Sequence, residues 1–345
     1  MSKRINKIHQ LDSLRAIAAF SVIFYHYLPE YKLGTFSFGW IGVDIFFVIS
    51  GYLITAILLE QKEIINNRFL IIKNFIIKRA LRLFPTYYLL ITFFAVMMFA
   101  FGLYVWNKGD AVFYYTYTQN ILFFRDGMKG NQLNHVWTLA VEEQFYLFWP
   151  WMVIYLSNKN LMRLLFALIL ASFLFKSFSD IQNLRMLTIA HFDTLGGGAI
   201  IALVMKERKE TVPLFLNKVK YFTLLIFTAI LCIGITHHLP GYMTSFSVLA
   251  LSITLLVGCY YNFEGIIGKF LNIPFLNYLG KISYGLYLYH KVIPYFIKLF
   301  LSKLHLQINS CLLFFVSITL TIAIAHLSYI LLEKRFLKLK DRFDL

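Results

Sequence analysis

Charge is what this sequence has least of. Asp, Glu, Lys and Arg make up 14% of its 345 residues, against roughly 25% in a soluble globular domain, so a water-facing exterior cannot be built from this inventory. Cysteine is nearly absent. Cys232, Cys259 and Cys311 lie far apart inside apolar runs with no CxxC pair, which excludes a disulfide framework or a zinc site and leaves them as small packing residues. No HExxH, GxSxG, Walker-type loop or EF-hand occurs, which argues against a metalloprotease, a serine hydrolase or an NTPase. Nor is there an internal repeat, or a pair of Gly/Pro-interrupted segments in matching halves, as many secondary transporters have.

What fills the chain instead is apolar: 59% of residues are hydrophobic, 18% are aromatic, and the mean hydropathy is +0.67. Apolar stretches recur at about the 20 residues a helix needs to cross a bilayer. They predict helices near residues 12–28, 39–60, 86–106, 136–156, 161–178, 186–205, 220–236, 244–262, 282–301 and 308–332. The expected fold is all-α, a polytopic integral membrane protein with a single bundle of about ten transmembrane helices in one domain, 1–345. The first run carries Arg15 and reaches His26 without a small-residue cleavage site, which fits a retained helix and not a signal peptide.

The formal charge of +16 would suggest nucleic acid in a soluble protein; here the basic residues fall between apolar runs, and no nucleic-acid partner is expected. If the ten segments alternate across the membrane, one set of loops holds 23 Lys and Arg and the other seven. That asymmetry predicts both termini in the cytoplasm. Residues 61–84 read as a basic interfacial segment on anionic lipid, and 107–134 as the longest external loop.

Ionisable residues inside spans cost a few kcal/mol by insertion scales and mark candidate sites. Arg15 and His26 are eleven residues apart, and eleven steps of about 100° return to within roughly 20° of one face, about 16 Å along the axis. A guanidinium suits phosphate and an imidazole suits proton transfer; lipid snorkelling by Arg15 and helix capping by His26 account for the spacing equally well. Asp44 and Ser50 sit in an otherwise apolar second run, Asp44 placed to pair with Arg15 or to orient His26, and Ser50 with Gly51 suited to close packing. Arg79 and Arg82, three apart, make an anionic clamp or ordinary positive-inside residues, and Pro85 reads as a helix boundary. His135-Val-Trp137 leads into Glu142-Glu143-Gln144, the strongest local signal, since packing does not explain adjacent carboxylates in a span. Asp193 before Gly196-Gly197-Gly198, and Ser283, Tyr284, Tyr287 and His290 at near-helical spacing, complete the set.

These residues carry a resemblance. Leu11-Asp-Ser-Leu-Arg15 through His26, Gly42-Val-Asp-Ile-Phe-Phe-Val-Ile-Ser-Gly-Tyr, Arg79-Ala-Leu-Arg82, Trp137-Thr-Leu-Ala-Val-Glu-Glu-Gln-Phe-Tyr with Trp149-Pro150, and Leu279-Gly-Lys-Ile-Ser-Tyr-Gly-Leu-Tyr-Leu-Tyr-His290 occur in an order that resembles acyltransferase family 3, over nearly the whole chain. Members of that family are membrane O-acyltransferases that modify surface glycans and other extracytoplasmic hydroxyl compounds. Departures are Lys281, where relatives often have Arg, and His191, where Arg is frequent. Some relatives carry a fused SGNH-type domain; this sequence, stopping at Leu345, is expected to act as a stand-alone transferase.

The resemblance implies an O-acetyltransferase of the cell (inner) membrane that takes an acyl group, acetyl first of all, from cytoplasmic acyl-CoA. The acceptor would be a surface polysaccharide or lipid-linked glycan, and no permanently bound cofactor or metal is expected. Arg15, Arg79 and Arg82 would hold the donor's phosphates, and His26 would act as base or form a transient acyl-imidazole. Asp44, Glu142 or Glu143 would orient the imidazole. Trp137, Ser50, Asp193, Tyr284 and His290 would support the site or meet the acceptor. A polytopic exporter or flippase of a lipid-linked glycan is the competing reading, for which the buried charges would line a path.

Overall fold

Apolar runs without β-strand alternation leave helix as the backbone solution that satisfies every N–H and C=O in lipid, and helix is the regular structure found among the described residues. The computed structural model describes residues 8–34, 39–102, 106–128, 132–178, 183–207, 225, 241–261 and 263–343. The helices that matter here are α1 (His9–Glu30), α2 (Ile41–Ile64), α3 (Arg68–Phe101), α4 (Trp137–Tyr155), α5 (Asn158–Phe178) and α6 (Phe192–Glu207). They are followed by α7 (Gly241–Tyr260), α8 (Gly265–Leu271), α9 (Pro274–Lys281), α10 (Ser283–Tyr289), α11 (Val292–Lys303) and α12 (Ser310–Ser328). The expected helix near 220–236 lies outside the described residues.

Five described helices are long and apolar enough to cross a membrane, or six if the pair α7–α8, bent by 82°, forms one broken span. The count of ten expected from hydropathy is therefore reached only in part. Helices α1 and α4 are 22 and 19 residues long, but Arg15, Asp12, Glu142 and Glu143 dilute their hydropathy.

Two boundaries differ from expectation. Residues 61–84 do not form a separate interfacial helix: Arg68–Phe101 is one helix of 34 residues with Pro85 inside it, about 50 Å long at 1.5 Å per residue. Proline fits helical φ and forfeits one backbone bond, which neighbours in a membrane bundle can compensate. Asn67 fixes its start, its Oδ1 accepting from the Leu70 N–H at 3.0 Å, and Gly102 at φ +66° stops it. The predicted helix 282–301 is instead broken at His290 and Lys291, between α10 and α11.

Helices α2 and α6 touch backbone to backbone. A Cβ added at Gly51 would lie 1.9 Å from the carbonyl oxygen of Leu195, and one at Gly198 would lie 2.0 Å from that of Val48. Larger residues cannot be accommodated, which is how small residues in bilayer helices allow close packing. At the basic end, Lys62 Nζ donates to the carbonyls of Val153 (2.8 Å) and Leu156 (2.5 Å), and Lys206 Nζ donates to Leu59 O (2.8 Å) and pairs with Glu63 (2.6 Å). Lys62 thus binds free carbonyls at the C-terminus of α4, and Lys206 reaches the last turns of α2, so the two ammoniums tie the ends of α2, α4 and α6 together.

Candidate functional site

Polar residues from α1, α2, α3, α4 and α10 converge on one cavity, walled by apolar groups such as Val43, Phe46, Leu53 and Leu139. Arg15, Arg79 and Arg82 all line it, together with Ser50, Glu142, Tyr146, Ser283 and Tyr284. The i, i+3 spacing of Arg79 and Arg82 sets both on one face of α3, and the guanidinium of Arg79 rests over the rings of Tyr146 (5.4 Å) and Phe75 (5.5 Å). Among the described residues, none of the three guanidiniums forms a hydrogen bond or an ion pair with a protein group. Glu142 is the carboxylate in the wall, and its oxygens are already engaged by Ser50 Oγ (3.0 Å) and Tyr146 Oη (3.0 Å). Positive charge in the cavity is thus only partly balanced.

The cavity's other hydroxyls are nearly all engaged. Tyr284 donates to Leu83 O at 2.9 Å, and Thr138 and Tyr287 bond each other at 2.7 Å and share the carbonyl of His135. Ser283 is the exception: fully buried, its Oγ has no partner.

Beyond Tyr287 lie three imidazoles. His135 is 5.6 Å and His290 5.5 Å from the Tyr287 ring, the two are 4.7 Å apart, and His26 is 5.2 Å from His290, all between centroids. His26 does not line the cavity that holds Arg15. Tyr287 joins the two groups: it lines the cavity, and its ring meets both His135 and His290. Sequence reading named His135 at the head of this span but gave it no role; the signal was a histidine two residues ahead of Trp137.

Asp44, Glu142 and Glu143 were expected to orient His26, and among the described residues none of them hydrogen-bonds to it. Glu143, about 100° around α4 from Glu142, is buried on another side, where its electrostatic neighbours include Glu142 and Arg79, and its Oε1 has no partner. Asp44 lies at the start of α2, in the field of Lys176, Asp193 and Arg185. Asp193 pairs with Lys176 at 2.6 Å, with both side chains largely buried. Trp137 packs against His191 at 5.3 Å, and the His191 ring also meets Phe47 at 4.8 Å. These residues form a second polar group, separate from the imidazoles. Glu333, in a π-helical turn (Tyr329–Glu333) after α12, is buried within electrostatic reach of Arg82 and Arg15.

A cationic cavity only partly balanced by Glu142, set in a bundle with five or six helices long and apolar enough to cross a membrane, fits a multi-pass membrane protein. The chain belongs to acyltransferase family 3, whose acyltransferase domain it matches over residues 8–330. It is 32% identical over 306 residues to the Bacillus subtilis protein named "Putative peptidoglycan O-acetyltransferase YrhL", covering 81% of this chain and 47% of that one. It is 28% identical over 312 residues to the peptidoglycan O-acetyltransferase OatA of Listeria monocytogenes, covering 82% and 49%. The chain thus spans about half the length of these curated relatives. No solved structure matches it.

Proposed function

We propose that this domain transfers an acyl group, acetyl in the simplest case, from acyl-CoA to a hydroxyl of a cell-envelope glycan on the opposite side of the membrane. The single observation that carries the reading is the set of three guanidiniums, Arg15, Arg79 and Arg82, which face one cavity without an ion-pair partner among the described residues. Coenzyme A brings three phosphate groups, and planar guanidiniums bind such oxygens in pairs. Relatives named for peptidoglycan O-acetylation support a cell-wall glycan as the acceptor. The Lys and Arg bias supports a cytoplasmic location for the Arg79 end and for both termini.

In this scheme the phosphates rest on the guanidiniums and the pantetheine arm passes the Thr138–Tyr287 pair toward His26. An imidazole nitrogen of His26 takes the proton of the acceptor hydroxyl as the oxygen attacks the thioester carbonyl. The C–O bond forms, the C–S bond breaks, and the proton on His26 passes to the departing thiolate. Coenzyme A is a substrate here, consumed and released.

The test is transfer of radiolabel from acetyl-CoA to membrane glycan by the protein in proteoliposomes. His26→Ala is expected to bind acetyl-CoA and transfer nothing, while Arg79→Ala binds it weakly. Unchanged donor affinity in Arg79→Ala and Arg82→Ala together would overturn the assignment of the cavity.

A further inference from the structure

Among the described residues no carboxylate hydrogen-bonds to His26, yet a general base whose ring can turn freely is a poor one: its tautomer and direction are normally set by a hydrogen bond at the second nitrogen. Of the rings in contact with His26, Tyr25 and His290, it is His290 that presents a buried acceptor without a partner. His290 is completely buried, and its Nδ1 lies 2.6 Å from the carbonyl oxygen of Tyr287. A carbonyl can only accept, so Nδ1 carries the hydrogen, and the neutral ring keeps a bare lone pair on Nε2. That Nε2 is buried without any partner, a costly condition for a polar atom in an apolar interior.

The neighbours explain how the ring is held. His135 packs against it at 4.7 Å with the planes at 70°, and the His135 Nε2 is itself tied to Leu288 O at 3.0 Å. The local bond to Tyr287 O sits where the chain breaks between α10 and α11, so the backbone that turns there also sets the tautomer. His26, by contrast, is only partly buried and makes no hydrogen bond among the described residues; its ring centroid is 5.2 Å from that of His290. Two imidazoles joined in line by an N–H···N bond have centroids about 5 Å apart. A turn of the His26 ring is therefore enough to bring its N–H onto the waiting lone pair.

We propose that His290 is the positioning residue of His26: its Nε2 accepts the N–H of His26, fixing that ring so that the other nitrogen stays bare toward the acceptor hydroxyl. The inference rests on the reading of His26 as the base. It replaces the carboxylate of the familiar acid–histidine pair with a second, neutral imidazole whose own tautomer is fixed by backbone.

Two substitutions separate positioning from packing. His290→Asn keeps a donor near the Nδ1 position and loses the acceptor at Nε2; His290→Gln can place an amide oxygen where Nε2 stood. With purified protein in nanodiscs, H290N is expected to lower kcat for transfer by about 100-fold, less than the roughly 10⁴-fold that loss of a charged orienting carboxylate costs, because the partner here is neutral. Its donor affinity should stay within about twofold of wild type, and H290Q should recover about tenfold of the lost rate. H290N transferring at the wild-type rate, H290Q no better than H290N, or donor binding lost together with transfer would each overturn the proposal. His26→Ala is the control that keeps the two readings apart. An inactive H26A beside a fully active H290N sinks only the positioning role, whereas an active H26A removes the base itself.

Discussion

Thr138 and Tyr287, which both line the cationic cavity, share a 2.7 Å hydrogen bond, and the Tyr287 ring meets His135 and His290. Tyr287 also donates to His135 O at 2.9 Å, so one side chain from α10 latches onto the start of α4. A donor arm that reaches His26 has to part this contact, and the free energy of doing so is subtracted from donor affinity. Removing the Tyr287 hydroxyl in Tyr287→Phe should therefore tighten acyl-CoA binding by about fivefold, the worth of one net hydrogen bond near 1 kcal/mol. It should also raise release of CoA in the absence of acceptor, because water gains the same path. Calorimetric titration and a thiol-release assay read the two effects, and weaker binding with no added hydrolysis would contradict the latch.

Glu142 is expected to act on the donor's charge and not on the base. It lines the cavity in the field of Arg15 and Arg79 and does not contact His26. Glu142→Gln keeps an acceptor oxygen for one of Ser50 and Tyr146, and the other hydroxyl can turn to accept from the amide, while a negative charge is deleted, so KM for acyl-CoA should fall by about threefold to tenfold, a typical size for one partly screened charge. The kcat should change little. A loss of kcat of about 100-fold or more with KM unchanged would return Glu142 to the chemistry.

Ser283 offers the one unengaged hydroxyl of the cavity wall among the described residues. Ser283→Ala deletes that group with almost no change in shape. If it bonds the donor's amide-bearing arm, donor KM should rise by about fivefold, again close to one neutral hydrogen bond, and thermal stability should hold or improve. Titration of the variant against acyl-CoA checks this; an unchanged KM would leave the serine without a ligand role.

The group around Asp44 and Asp193 is a prediction about stability. Lys176 and Asp193 pair at 2.6 Å with little exposure, joining α5 to α6, and Asp44 adds a second carboxylate from α2. Removing the cation alone strands buried negative charge, so Lys176→Met should destabilise by about 3–5 kcal/mol, while Lys176→Met with Asp193→Leu should recover much of that loss. Thermal unfolding in detergent, followed by a thiol-reactive or fluorescent reporter, distinguishes the pair from an exposed bridge. Equal stability of the single and double variants would place the ion pair outside the packing of the bundle.

How far the sequence foretold this arrangement depends on range. Arg79 and Arg82 were legible as a pair because three residues set one helical face, and Gly51 and Gly198 because only small side chains allow helices to touch. The partition of the polar residues was not legible. Nothing in the spacing of Glu142 and Glu143 says which turns to the cavity, and Asp44 lies close to Arg15 and His26 in number yet joins Lys176 and Asp193 on helices more than a hundred residues away. His135 was named but given no role for a related reason, since its importance comes from His290, 155 positions later. Pro85 misled in the opposite sense: the rule that proline ends helices is a rule about water, and α3 continues through it.

A structure of the protein with a non-hydrolysable acyl-CoA, its thioester replaced by a thioether ketone, tests the central claim most directly. The account predicts phosphate oxygens in hydrogen-bond contact with Arg15, Arg79 or Arg82, a parted Thr138–Tyr287 pair, and the acyl carbonyl against His26. A donor bound elsewhere, or one whose acyl end stops on the Arg15 side of an intact Thr138–Tyr287 bond, would contradict it.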